Sequence, residues 1–236
     1  MLPAITRPLL ALLTTFVVLL PAALANVEKT VFVAPSAIAV PNVRPGLQDL
    51  RLTSLSPSAH VLRTNIPVAF RSDASPRGLD SWYLLSELTP GQRYEVRVCW
   101  AATQPTSFWL EAHSISHVFE TPELITALAS FSESIPDSKP IVDARKATDP
   151  AETSASLLFL RIQAAADFYS LNKTRMSNPP DVKVDIILDP FILNAVPRSL
   201  IPTGLYIIAL AVGAWFLSSF IVNWASAIEP VKPHTD

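Results

Sequence analysis

"ELTPGQRYEVRVCW", Glu87 to Trp100, turns and then runs on as a strand. Pro90 presets φ for the turn, and Gly91 tolerates the positive φ that such turns often need. Beyond it Tyr94, Val96, Val98 and Trp100 alternate with Arg93, Glu95, Arg97 and Cys99. A period of two is the mark of a strand that buries one face, here the aromatic and aliphatic one.

The pattern Leu88, Pro90, Gly91, Tyr94, Val96, Val98 resembles the corner and following strand of fibronectin type III domains, in which a tyrosine hydroxyl ties the corner to nearby backbone. The neighbouring segments agree. "TVFVA" (Thr30 to Ala34), "LQDLRLTSL" (Leu47 to Leu55), "IPVAF" (Ile66 to Phe70), "SFWLEAH" (Ser107 to His113) and "DVKVDIIL" (Asp181 to Leu188) are short, β-branched or aromatic, and set apart by Pro, Ser and Asn. The expected fold is mainly β, an antiparallel sandwich of fibronectin or immunoglobulin type. With 22 prolines and 5 glycines a helical domain is disfavoured, although "ELITALASF", Glu123 to Phe131, suits a helix. "SASLLFLRIQAAADFYSL", Ser154 to Leu171, reads equally as strand or helix. Ser132 to Ser154 is polar and proline-bearing, a long loop or a candidate sub-domain break.

Composition places part of the chain in lipid: 50% of its 236 residues are hydrophobic, 16% are charged, and the mean hydropathy is +0.34. A net charge of −2 offers no basic field for a phosphate backbone, so nucleic acid is not an expected partner. After Arg7, "LLALLTTFVVLL" (Leu9 to Leu20) is about twelve residues, too short to cross roughly 30 Å of hydrocarbon. Pro21 ends it, and Ala23 and Ala25 stand at −3 and −1 of a cleavage site. Residues 1–25 are therefore expected to be a signal peptide, with Asn26 as the mature N-terminus. "LYIIALAVGAWFLSSFIVNW", Leu205 to Trp224, is about twenty uncharged residues with Tyr206 and Trp224 near its ends, the signature of one transmembrane helix. Residues 26–204 then form a lumenal β-rich domain and residues 225–236 a cytosolic tail, a type I topology. The tail "EPVKPHTD" speaks against a GPI attachment signal, whose apolar stretch runs to the end.

Cys99 is the one cysteine, so an intrachain disulfide is excluded and the thiol is either buried or paired with another chain. Asn172-Lys173-Thr174 is the one sequon, an expected glycan acceptor. No G-x-S-x-G, H-E-x-x-H, C-x-x-C, P-loop or G-x-G-x-x-G motif occurs, so no catalytic residue, metal or cofactor is expected. His113 and His117, with Glu111 or Glu120, make at best an incomplete metal site. Asp181, Asp185 and Asp189 recur every four residues, but strand spacing puts them with Lys183 on a solvated face while Val182, Val184, Ile186 and Leu188 fill the other. In the membrane helix Ala209 and Gly213, and Ala214 and Ser218, stand four apart and would let a second helix approach closely.

The layout as a whole resembles a fungal family. A signal peptide, a domain opening on "NVEKTVFVAP", a middle holding "LTPGQRYEVRVCW" and "SFWLEAH", a juxtamembrane "LNAVPRSLIP" and one terminal helix look like the small co-activator subunit of GPI mannosyltransferase II. That resemblance implies a multi-pass catalytic partner that adds the second mannose of the GPI precursor in the endoplasmic reticulum. The partner would supply the acid-base groups and the polyprenyl-phosphate mannose site, and this chain would stabilise or position it. The tail lacks dilysine and K-D-E-L-type signals, so residence in the endoplasmic reticulum would come from assembly. A cargo receptor or chaperone of the secretory pathway, or an adhesion-type surface protein, would share the topology.

Overall fold

The computed structural model describes residues 26–39, 47–136 and 154–228. The expected signal peptide, most of the 132–154 segment and the tail from residue 229 lie outside the described residues. Among the described residues ten strands form two sheets. Sheet I is built on β6 (Arg93–Trp100) and β9 (Val182–Ile192), which pair antiparallel from Tyr94 with Pro190 to Trp100 with Val184. β1 (Val27–Val33) lies along the free side of β6. β4 (Val61–Ile66) and the short β10 (Val196–Pro197) share the free side of β9.

Sheet II is centred on β8 (Ser154–Ala166), which carries β5 (Leu79–Leu88) on one side and β7 (Thr106–Ser114) on the other. Two-residue β2 (Ile38–Ala39) extends the β7 side, and β3 (Thr53–Leu55) runs parallel to β5 as the outer strand.

The core lies between the sheets. Ile66, Tyr94, Val96, Val98, Val184, Ile186 and Leu188 come from sheet I, and Leu55, Tyr83, Leu85, Phe108, Leu158, Leu160 and Ile162 from sheet II. Each such aliphatic side chain contributes about 1.5–3 kcal/mol by leaving water. A second, smaller core forms on the other side of sheet II. There Trp82 and Phe159 meet Val118 of α1 (Ile115–Glu120) and Leu124 and Leu128 of α2 (Pro122–Ser134). Ser114 caps α1 by accepting from His117 N, and α2 starts with Pro122 and Glu123 in its first turn, both favourable there.

β8 is thus covered on both faces, which removes the polar alternation and explains why Ser154 to Leu171 reads ambiguously. The strand ends at Ala166, and Phe168 turns back to make an edge contact with Phe70. Two expected strands are only partly strands. Leu47–Leu50 is a 3-10 turn with the strand beginning at Thr53, and the run at Ile66 ends β4, because Pro67 has no N–H to continue the ladder.

Glycine is required at two bends. Gly91 has φ +76° in the corner, and at Gly78, φ +78°, a Cβ would collide with the Ala164 carbonyl. α3 (Lys173–Ser177) is a single turn in the β8–β9 connection, and α4 (Ile201–Ile228) is one continuous helix. α4 extends beyond the expected Leu205 to Trp224 at both ends, since Pro202 is tolerated in a first turn and "ASAI" offers no breaker.

Candidate functional site

Of the residues that the sequence singles out, the Tyr94 corner and Asp189 lie at one pole of the sandwich, where β9 ends, β6 begins and α4 departs. Tyr94, 1% exposed, closes the corner: its hydroxyl accepts from Thr89 N at 3.0 Å and donates to Gln92 Oε1 at 3.0 Å, and its ring stacks on Phe32. Leu88 is buried beside it, while Gly91 is exposed. Pro90 precedes Gly91, and Gln92 N donates to Thr89 O across that turn.

The corner is knitted to the β9–β10 hairpin. Gln92 Nε2 donates to Phe191 O, Arg93 N donates to Asn194 Oδ1, and Asn194 Nδ2 donates to Gly91 O. The hairpin turns on Leu193 and Asn194, at φ +52° and +55°, closed by Ala195 N to Ile192 O at 3.0 Å. Two successive positive φ values make a type I′ turn, whose twist suits a hairpin.

The connection to α4 is anchored on two carboxylates that sequence alternation assigned to solvent. Glu95 is 4% and Asp189 5% exposed. Lys29 Nζ lies 3.0 Å from Glu95, and Arg97 reaches Glu95 at 3.4 Å and Asp189 at 3.8 Å. Ser199 N donates to both Asp189 oxygens at 3.3 Å, and Arg97 also donates to Ser199 Oγ. The 3-10 turn Arg198–Leu200 therefore lies over the outer face of sheet I at Asp189. This corrects the expectation of a solvated Asp181, Asp185, Asp189 face. Only Asp181 is simply exposed; Asp185 is paired with Arg63 by two bonds of 2.7 and 2.9 Å, which hold its carboxyl below the usual range. Cys99, half-buried on the same face, has its thiol pushed up by burial.

His113 and His117 do come together, with ring centroids 5.5 Å apart, though across the β7–α1 junction and not on one strand face. Glu111 Oε2 lies 3.4 Å from His113 Nε2, too poorly aligned for a hydrogen bond, so that nitrogen is left without one. Burial lowers the His113 pKa against the pull of Glu111. Glu111 itself is held low because Arg77 and Arg161 outweigh its burial, and Glu120 stays exposed at the end of α1. Among the described residues no three His, Cys, Asp or Glu side chains group as a metal site. The rest of this face is a self-paired ladder, with Arg161 on Asp80 and Arg71 and Arg77 over the Trp109 ring.

Asn172 stands at the opposite pole, exposed, with Oδ1 accepting from Thr174 N at the start of α3. On α4 the window apolar enough to cross a membrane lies wholly outside the packed domain. Ala209 and Gly213 are exposed along one side, and Ala214 and Ser218 lie about 140° around the helix. The residues that sequence reasoning missed are Glu95, Arg97, Ser199 and Leu193. Alternation tells which face of a strand a side chain occupies, not what the chain later lays over that face.

In comparisons with known proteins, residues 16–220 match the family model described as Pga1, GPI-Mannosyltransferase II co-activator. No curated protein and no solved structure matches the chain.

Proposed function

The chain belongs to the GPI-mannosyltransferase II co-activator family, and from that premise we propose that it is the non-catalytic subunit of a membrane complex. Its partner is the multi-pass mannosyltransferase that adds the second mannose to the GPI precursor at the endoplasmic reticulum. The observation that carries this reading is the family match over most of the chain. It is supported by the fate of the carboxylates. Asp185, Asp189, Glu95 and Glu111 are each engaged by Arg, Lys or backbone groups of the fold. A group so committed is poorly placed to trade protons with a substrate.

In this reading α4 spans the bilayer and offers Ala209, Gly213, Ala214 and Ser218 to helices of the partner, packing being the main force between helices in lipid. The sandwich is lumenal, and its outer surfaces brace the lumenal loops of the enzyme. The apolar α4 supports the membrane span. The short apolar N-terminal segment and the exposed Asn172 sequon support the orientation.

Depletion of the chain should make a GPI precursor carrying one mannose accumulate, read by chromatography of labelled lipids. Mannosyl transfer by the purified chain alone, without the multi-pass subunit, would overturn the accessory role.

A further inference from the structure

The β9–β10 hairpin carries an apolar side chain where neither backbone nor solvent favours one. Leu193 is 95% exposed, at the tip of the turn, in a left-handed conformation with φ +52°. That conformation is disfavoured for a residue with a Cβ, and Asn or Gly is the usual occupant. A strained, exposed leucine held by a well-bonded turn points to a contact outside the sandwich. Ile192 and Val196 flank it and are exposed, and so is Leu200 in the following turn. Val33, beside Arg93 in the β1–β6 register, is exposed as well.

Its position along the chain says what covers it. The uncharged run from Leu205 to Trp224 spans about 30 Å as a helix, the thickness of the hydrocarbon, so Leu205 marks the boundary. Leu200 and Ile201 then sit about 6–8 Å above it by helical rise, at the outer edge of the headgroup layer, which is roughly 5–7 Å thick on each side. The hairpin is tied to the start of α4. Asp189, near the end of β9, is bonded to Ser199, and Val196 is paired with Ile192. Arg93 and Arg198 are exposed beside the patch, and among the described residues neither has a carboxylate within ion-pair distance. Apolar side chains rimmed by guanidinium groups, of which that of Arg93 also lies 5.9 Å from the Phe191 ring centroid, suit an interface of acyl chains and phosphates.

We infer that the Ile192–Val196 tip, led by Leu193, seats in the lumenal headgroup layer and sets the height and tilt of the sandwich on the bilayer. This rests on the reading of α4 as a membrane span.

The test uses the full chain with Cys99→Ser, reconstituted in phosphatidylcholine vesicles. An environment-sensitive fluorophore is placed by Leu193→Cys, by Leu217→Cys in α4, or by Leu171→Cys in the exposed loop at the opposite pole. Nitroxide-bearing phosphatidylcholines then act as quenchers. The Leu193 label should be blue-shifted and quenched severalfold more strongly than the Leu171 label, most by the nitroxide nearest the headgroup, while the Leu217 label is quenched most by the deepest one. A quenched Leu217 label beside a Leu193 label that behaves like Leu171 overturns the inference and leaves the membrane span standing. An unquenched Leu217 label overturns the span and the inference together. A Leu193 label shielded only when the mannosyltransferase is added, and never quenched by lipid, overturns it in favour of protein docking.

Discussion

Tyr94 does two jobs with one hydroxyl, satisfying the Thr89 N–H and orienting Gln92, whose amide reaches the hairpin at Phe191. Tyr94→Phe should cost about 0.5–1.5 kcal/mol, the usual net worth of such a bond. Tyr94→Ala should cost about 3–5 kcal/mol through loss of the ring. Denaturant unfolding in detergent, followed by near-UV circular dichroism, measures both, and equal losses would show that the hydroxyl carries the whole effect. His113 governs a pH dependence. Trp82, Glu111, Arg161 and His117 face it, and burial holds it below its ordinary 6.5, so the unfolded chain binds its proton first as the pH falls. Stability from this group is whole above pH 6.5 and is lost as the pH drops through the folded value. Glu111, also held low, loses its contribution in a separate window below 4.5. The thermal midpoint should therefore decline below pH 6.5, and His113→Gln should flatten the first part of that decline. An unchanged slope would remove His113 as its source.

Elements were legible in the sequence where one physical rule dominated. β6 and β9 show a period of two because one face is buried, and α4 shows itself by length and lack of charge. β8 hides because α1 and α2 bury its second face, and β2, β3 and β10, two or three residues each, exist only because a longer strand lies beside them. The candidate site was legible in part. Tyr94 and Gly91 announced a corner, but the dipeptide Leu193-Asn194 lacks the glycine that advertises a I′ turn, and the burial of Asp189 depends on a turn that the strand pattern does not contain. On α4 the spacing of small residues yields a test. Ala209→Leu with Gly213→Leu should weaken co-purification with the mannosyltransferase, because larger side chains hold the helices apart. Undiminished recovery of the complex would shift the contact to the Ala214 and Ser218 side.

At the scale of the molecule, the two poles divide the labour proposed above. β9, with eleven residues, spans about 35 Å between them, so a glycan on Asn172 would stand clear of the bilayer and of any neighbour gathered around α4. Asn172→Gln should remove the single mobility shift that glycosidase treatment produces, and an unglycosylated wild-type chain would sink the lumenal orientation. The strand order also bears on how the chain is made. The central strand of each sheet is encoded late: β8 and β9 follow every strand they join except β10, and the Arg63–Asp185 pair bridges 122 residues. Until β9 emerges, β1 and β6 have no sheet to complete and β4 has no neighbour, yet only three residues, Arg198 to Leu200, separate β10 from the helix. Sheet II therefore lacks its centre until β8 and sheet I until β9, so the sandwich can close only just before the apolar helix α4 is made. Until then the earlier strands keep unpaired edges and uncovered apolar faces, the kind of intermediate that aggregates unless it is shielded.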